Sequence, residues 1–509
     1  MNNLKRILLP MSLALLLGFS SCTKDDVPAA TVVNSKVFVL GTVGTAGISG
    51  TATVVEKSDA TLSIELSLKN TTAGSSHPAH IHFNTAAEGG DIALTLKAVD
   101  GATGKSTTTF KALDNGTAIT YQQLLNFDGY INVHLSATNL STLVAQGDIG
   151  QNELTATSKV YALGSVAVPN ISGTATFFKR VNGEALSIVK LNNTTAGAMH
   201  PGHIHANTAA QGGGIVFTFN PVNGDTGVST TNISKLDSGT TFGYDQLVAY
   251  NGYINFHLSA TNLATLVAQG DIGQNELTGR KTSYALAGKD VAGVSGTVEL
   301  AERVNQSTLV TIKLVGTTAG GIHPAHMHEN NVATSGNIIA GLTAVSGDTG
   351  ISKTQIATLV GGASVTYSQL LTKAAYVNVH LSDAVMGTIL AQGNIGASFS
   401  SVETKTYTVT NSGSASYIFN GEGFTNSNNP NLTFKRGGTY TFNVNTPGHP
   451  FLINTVQGTG SANKYNTGVT NNGAITGSIT FTVPMSAPNT LYYNCEFHSP
   501  MTGVITITN

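Results

Sequence analysis

Charge is what this chain has least of. Lys, Arg, Asp and Glu make up only 10% of its 509 residues, and the net charge is -2. A nucleic-acid partner would call for a basic patch, so that class is set aside. Cysteine is scarce as well, with two in the whole chain, which excludes a disulfide framework. After the first twenty residues no apolar run is long enough to cross a membrane as a helix, and no Leu, Glu and Lys pattern repeats at helical spacing. There is no Gly-x-Ser-x-Gly elbow, phosphate-cradling loop or His-Glu-x-x-His helix. Spots such as Glu88-Gly89-Gly90 and Gly212-Gly213-Gly214 read as turns.

What is present points to strands. Glycine is abundant, at 57 residues, and Thr, Val, Ile, Asn and Ser recur throughout. That mixture favours short strands joined by turns, so the expected fold class is all-β. The length implies three or four domains.

The start of the chain differs from the rest. Lys5 and Arg6 precede an apolar run from Ile7 to Phe19, then Ser20, Ser21 and Cys22. Residues 1–22 read as a secretory leader. The Phe-Ser-Ser-Cys end resembles the lipobox of bacterial lipoproteins, which implies lipidation of Cys22. Lys24-Asp25-Asp26 resembles the export tag of Bacteroidota surface lipoproteins, and residues 23–35 read as a tether. The expectation is an extracytoplasmic protein, lipid-anchored to a bacterial outer membrane and facing either the cell surface or the periplasm. With Cys22 committed to lipid, Cys495 has no disulfide partner, and metal ligation is the leading use for such a thiol.

Internal repetition organises the middle of the chain. His77-Pro78-Ala79-His80-Ile81-His82 returns at His200, His203 and His205, and again at His323, His326 and His328. From His77 to His200, and from His200 to His323, the step is 123 residues. Tyr130-Ile131-Asn132-Val133-His134 recurs in step, ending at His257 and His380, and Ser49-Gly50-Thr51 recurs at Ser172 and Ser295. Three tandem units follow, at 36–154, 159–277 and 282–398. Within the first, Thr61–Leu68 alternates as a half-buried strand, Tyr121–Leu125 reads as a short helix and Tyr130–Leu135 as a strand. Gly147–Gly150 reads as a turn feeding the last strand. Each unit should close as a sandwich or Greek-key barrel.

These units resemble the CHRD (chordin-like) family through the His-x-His strand, the Tyr-x-Asn-x-His strand and the following Gln-Gly-x-Ile-Gly segment. Family members commonly have Gly-Glu-Ile-Arg-Gly in that last place, whereas this chain has Gln146-Gly147-Asp148-Ile149-Gly150. The resemblance implies a fold more than a function.

Residues 401–509 form a further domain. Strands are expected at Lys405–Val409, Asn431–Phe434, Thr439–Val444, Ser478–Val483, Leu491–Cys495 and Val504–Ile507. Cys495-Glu496-Phe497-His498-Ser499-Pro500-Met501 offers a thiolate, an imidazole and a thioether in one loop held between strands. Two imidazoles and a thiolate with a weak axial thioether suit a one-electron copper site, and His449 is the only other histidine of the domain. The pattern resembles the type 1 copper site of cupredoxins, which implies a β-sandwich with copper on His449, Cys495, His498 and Met501. Pro450 departs from it: in many cupredoxins the residue after the first histidine donates its N–H to the cysteine sulfur, and proline has none.

Of the 14 histidines, the remaining twelve fall four to a repeat. His80 and His82 lie two apart on a strand and so project together, with His77 placed to fold over them and His134 on a second strand. The other sets are His200, His203, His205 and His257, then His323, His326, His328 and His380. Imidazoles without carboxylate or thiolate suit zinc or copper; a hydrogen-bonded structural cluster of neutral histidines is the alternative. Copper-zinc superoxide dismutase also has a His-x-His strand on a Greek-key barrel. Its bridging imidazole and zinc-binding Asp have no counterparts placed here, and catalysis is not expected.

Three functional readings follow. One is copper binding with electron transfer or copper holding in the last domain; another is a surface adhesion module without chemistry. The third is metal sequestration by all four domains. The residues identify no redox or surface protein partner.

Overall fold

A computed structural model describes residues 30–399, 403–484 and 487–508. The leader, Cys22 and all but the end of the tether lie outside the described residues. Everything described is built on strands, and the fold is all-β.

The alternation noted around residue 64 produces a strand, Leu62–Lys69, that buries Ile64, Leu66 and Leu68 and exposes Glu65 and Ser67. It is the third of eight in the first unit: β1 (Val32–Thr42), β2 (Ser49–Lys57), β3 (Leu62–Lys69), β4 (Ser76–Phe83), β5 (Ile92–Asp100), β6 (Lys105–Phe110), β7 (Asp128–Ser136) and β8 (Asn139–Gly150). They close in the order β1-β2-β3-β6-β5-β4-β7-β8. Pairing β3 with β6 and β4 with β7 reverses the central block, which is a Greek-key crossing. Helix α1 (Tyr121–Leu125) bridges β6 and β7. Thr120 and Gln123 cap it reciprocally, and it buries Tyr121 and Leu124.

One expectation fails. Gly147–Gly150 is not a turn but the end of β8, with Gly147 opposite Ile131 and Asp148 opposite Tyr130. A Cβ on Gly147 would stand 2.1 Å from the Val39 carbonyl oxygen. The glycine admits a neighbouring strand instead of breaking its own. The chain turns only after Gly150, whose φ is +63°.

The second group of eight strands runs from Leu154–Ser165 to Asn262–Gly273 and closes in the same order. The third runs from Leu277–Gly288 to Ile389–Gly396 in that order too, but stays open between Ile338–Ser346 and Ile351–Ile356. Both groups therefore take in strand residues ahead of the expected starts at 159 and 282.

The last domain stacks two sheets. One has the order Phe424–Asn428, Ser416–Gly421, Thr404–Ser412, Thr439–Asn445, Thr476–Thr482, Val469–Thr470; the other is Leu432–Lys435, Thr502–Thr508, Thr490–Cys495, Phe451–Asn454. Tyr407, Tyr417, Phe419, Phe442, Phe451 and Tyr493 fill the space between them, together with Cys495 and Met501. Phe451 and Tyr493 stack at 5.3 Å between ring centroids.

Candidate metal centres

In the last domain Phe451 pairs with Cys495 across adjacent strands, which brings the end of the Pro447-Gly448-His449-Pro450 turn to the cysteine. Gly448 supplies the left-handed residue that turn needs, at φ +80°. The turn is pinned from three sides. The His449 N–H donates to Thr446 O (2.9 Å), Thr446 Oγ1 donates to His449 O (2.8 Å), and the buried Tyr417 hydroxyl reaches the carbonyls of His449 (3.1 Å) and Pro450 (2.8 Å). Burial drives the Tyr417 pKa far upward, so its proton stays to donate.

The loop from Cys495 to Met501 closes on itself. The Cys495 N–H donates to Met501 O (2.9 Å), and the Met501 N–H to His498 O (3.2 Å). Asn429 Nδ2 donates to Pro500 O (2.9 Å), and Thr502 Oγ1 to the buried Asn494 side chain (2.6 Å).

Three donor atoms converge as a result. His449 Nδ1 lies 3.1 Å from His498 Nδ1, and Cys495 Sγ lies 3.7 Å and 3.6 Å from those two nitrogens. Atoms so spaced share a centre about 2.0 Å from each, the length of an imidazole bond to a first-row ion and slightly short for a thiolate. The donor set and its spacing fit copper. Burial, then the neighbouring His498, lowers the His449 pKa from its ordinary 6.5, which keeps the nitrogen free to ligate. Met501 is fully buried in the same core as Cys495.

The repeats place their histidines by strand parity. On β4, Ala79 and Ile81 point into the barrel core, and His80 and His82 lie on the opposite face. On β7, Ile131 and Val133 face the core, while Tyr130 and Asn132 pair with His82 and His80 across the outer face. A register shift between Val133 and His134 falls at the third histidine, and the same bulge occurs at Phe256/His257 and Val379/His380. Such an irregularity re-aims a side chain. His80, His82 and His134 thus meet, as do His203, His205 and His257, and His326, His328 and His380; each trio offers three nitrogens within 4.8 Å of one another. No carboxylate joins any of these groups among the described residues.

The fourth histidine of each repeat does not join them. His77 lies on the core side, buried, with Nδ1 on the His134 carbonyl (3.1 Å) and Nε2 on the Ser75 hydroxyl (2.9 Å). His200 Nδ1 contacts His257 O (3.1 Å), and His323 Nδ1 contacts Leu381 O (2.8 Å). The expectation that these residues fold over the trio is corrected: Pro78 and the register shift between His77 and Ala79 leave the ring bracing the next strand.

Sequence reasoning also missed the carbonyls that orient the rings. His134, His257 and His380 each turn Nδ1 to a backbone oxygen at 2.6 Å, of Leu140, Leu263 and Met386. His82, His205 and His328 turn Nδ1 to Gly90, Gly213 and Gly336 at 2.9, 2.9 and 3.0 Å. These glycines are obligatory: a Cβ on Gly90 would stand 2.1 Å from Phe83 O. The only signal for them was their recurrence in step with the histidines. Tyr130, Tyr253 and Tyr376 stack on the second histidine of each trio at 4.8–4.9 Å.

No family model and no curated protein matches the chain. Among solved structures, one described as "Biofilm associated protein - BSP domain" aligns over 94% of this chain and 96% of its own, at 11% identity and a TM-score of 0.11. So low a score carries no argument about fold or function.

Proposed function

We propose that this protein binds copper in its last domain and exchanges single electrons there, on a chain that Cys22 anchors by lipid to the outer face of a bacterial envelope. The observation that carries the reading is the triangle of His449 Nδ1, His498 Nδ1 and Cys495 Sγ, with sides of 3.1, 3.6 and 3.7 Å. Its support is chemical. A thiolate with two imidazoles and a weak thioether is the donor set of an electron-transfer copper site, and the order of those residues is what makes this domain resemble a cupredoxin.

Bound there, copper would supply a one-electron couple with little change of geometry. The chain's own part is to hold the ligands still: the Tyr417 and Thr446 hydroxyls fix the His449 turn, and the backbone bonds between Cys495 and Met501 fix the loop. Burial of Cys495 excludes water from the sulfur. With Pro450 after His449, the sulfur lacks one backbone donor that would raise its potential. The three preceding units are proposed as CHRD-like domains.

Copper added to the full chain should give an intense visible absorption from thiolate-to-copper charge transfer and a reversible one-electron response. Cys495→Ala should abolish both. A folded chain that stays colourless with copper rules the reading out.

A further inference from the structure

We infer that each repeat also carries its own three-imidazole site for a first-row transition ion, formed in the first by His80 Nδ1, His82 Nε2 and His134 Nε2. The inference goes beyond the copper centre of the last domain and does not rest on it.

Tautomers decide which nitrogens are available. A neutral imidazole has one N–H and one lone pair. His134 spends its N–H on Leu140 O and His82 spends its own on Gly90 O, so the lone pair of each sits on Nε2. His134 Nε2 faces His80 Nδ1 at 3.1 Å, and the same 3.1 Å separates His257 Nε2 from His203 Nδ1. Backbone carbonyls behind ligating histidines are what metal sites use to orient a ring and raise its basicity.

In the first repeat His134 Nε2 and His82 Nε2 each have a hydrogen-bonding neighbour, His80 Nδ1 (3.1 Å) and Asn132 Nδ2 (3.5 Å); in the other two a purely hydrogen-bonded cluster leaves lone pairs unmatched. His205 Nε2 and His380 Nε2 belong to side chains more than nine-tenths buried and have no hydrogen-bond partner. In the third repeat His326 Nδ1 and His328 Nε2 are orphaned too, so all three nitrogens of that trio lack a partner. Leaving a buried polar atom unmatched is unfavourable. One ion would satisfy the three at once. Three neutral nitrogens with no carboxylate favour copper over zinc, following the general affinity order.

The test uses the untagged full chain with Cys495→Ser, which silences the thiolate site. Dialysed against Cu²⁺ and separately Zn²⁺, it should retain about three ions per chain. Its Cu²⁺ resonance spectrum should show superhyperfine coupling to imidazole nitrogen in addition to the splitting from copper itself. His134→Gln, His257→Gln and His380→Gln should each remove one ion, with circular dichroism checking the fold. Retention near zero, or a spectrum of oxygen ligation, overturns the inference. Should a Gln variant unfold, the stoichiometry and spectrum of the Cys495→Ser chain with all twelve repeat histidines decide alone.

Discussion

His134, His257 and His380 show how much one ring depends on what stands behind it. Each is turned by a single backbone oxygen at 2.6 Å, and a protonated ring would have to place a second N–H among other imidazoles. Burial lowers the pKa of His80, His134, His205, His326 and His449 alike. A base whose folded pKa lies below its unfolded value binds protons first in the unfolded chain. Stability contributed by these groups is therefore complete above about pH 6.5 and lost as pH falls below it. The metal-free protein should show a thermal midpoint that is level from pH 8 to 7 and drops progressively toward pH 5. A midpoint that rose on acidification would contradict this. Parity made the pairing of His80 with His82 legible in the sequence. It did not reveal His77, because a bulge beside a proline changes the count, nor the carbonyl locks, because a backbone acceptor carries no residue signature.

At the level of strands, the period exposes a second device. Arg180 and Arg303 are fully buried, and their Nη1 atoms lie 2.7 Å from Asp148 and Asp271. Each guanidinium also reaches a carbonyl, of Asn152 and Asn275, and a side-chain oxygen, of Asn232 and Gln355. Asp148 in turn accepts from the Ala86 N–H (2.8 Å). One period before Arg180 stands Lys57, and one period after Asp271 stands Asn394. The pair thus joins the end of one repeat to the second strand of the next and is missing at both ends of the series. Removing one partner leaves a buried charge uncompensated, so Arg180→Ala or Asp148→Ala should cost about 3–5 kcal/mol, read as a lowered denaturation midpoint. Lys57→Ala should cost about 0.5 kcal/mol or less; equal losses would refute a special role for the pair. The sequence showed the strands that alternate. It hid Phe451–Asn454, all four residues of which are buried, and Ser416–Gly421, where Ser416, Tyr417 and Phe419 are all buried.

Across the whole molecule, repetition was the most readable feature, since a step of 123 residues survives any error in placing single strands. What it could not show is that the third unit stays open where the first two close, because that difference lies in backbone pairing and not in the motif residues. The copper proposal starts from the sequence for a related reason: three of its four proposed ligands fall within one seven-residue loop, Cys495–Met501.

The placement of the arginine–aspartate pairs makes the array modular in a countable way. Excising one period, Leu154 through Glu276, would set Asp148 the same 32 positions ahead of Arg303 that it now stands ahead of Arg180. The shortened chain keeps a matched joint, and we expect it to express and melt with a midpoint close to the parent's, whereas an excision ending a few residues to either side should not. Genetic gain or loss of a whole unit would then leave no scar at the seam, so related chains should differ by whole units.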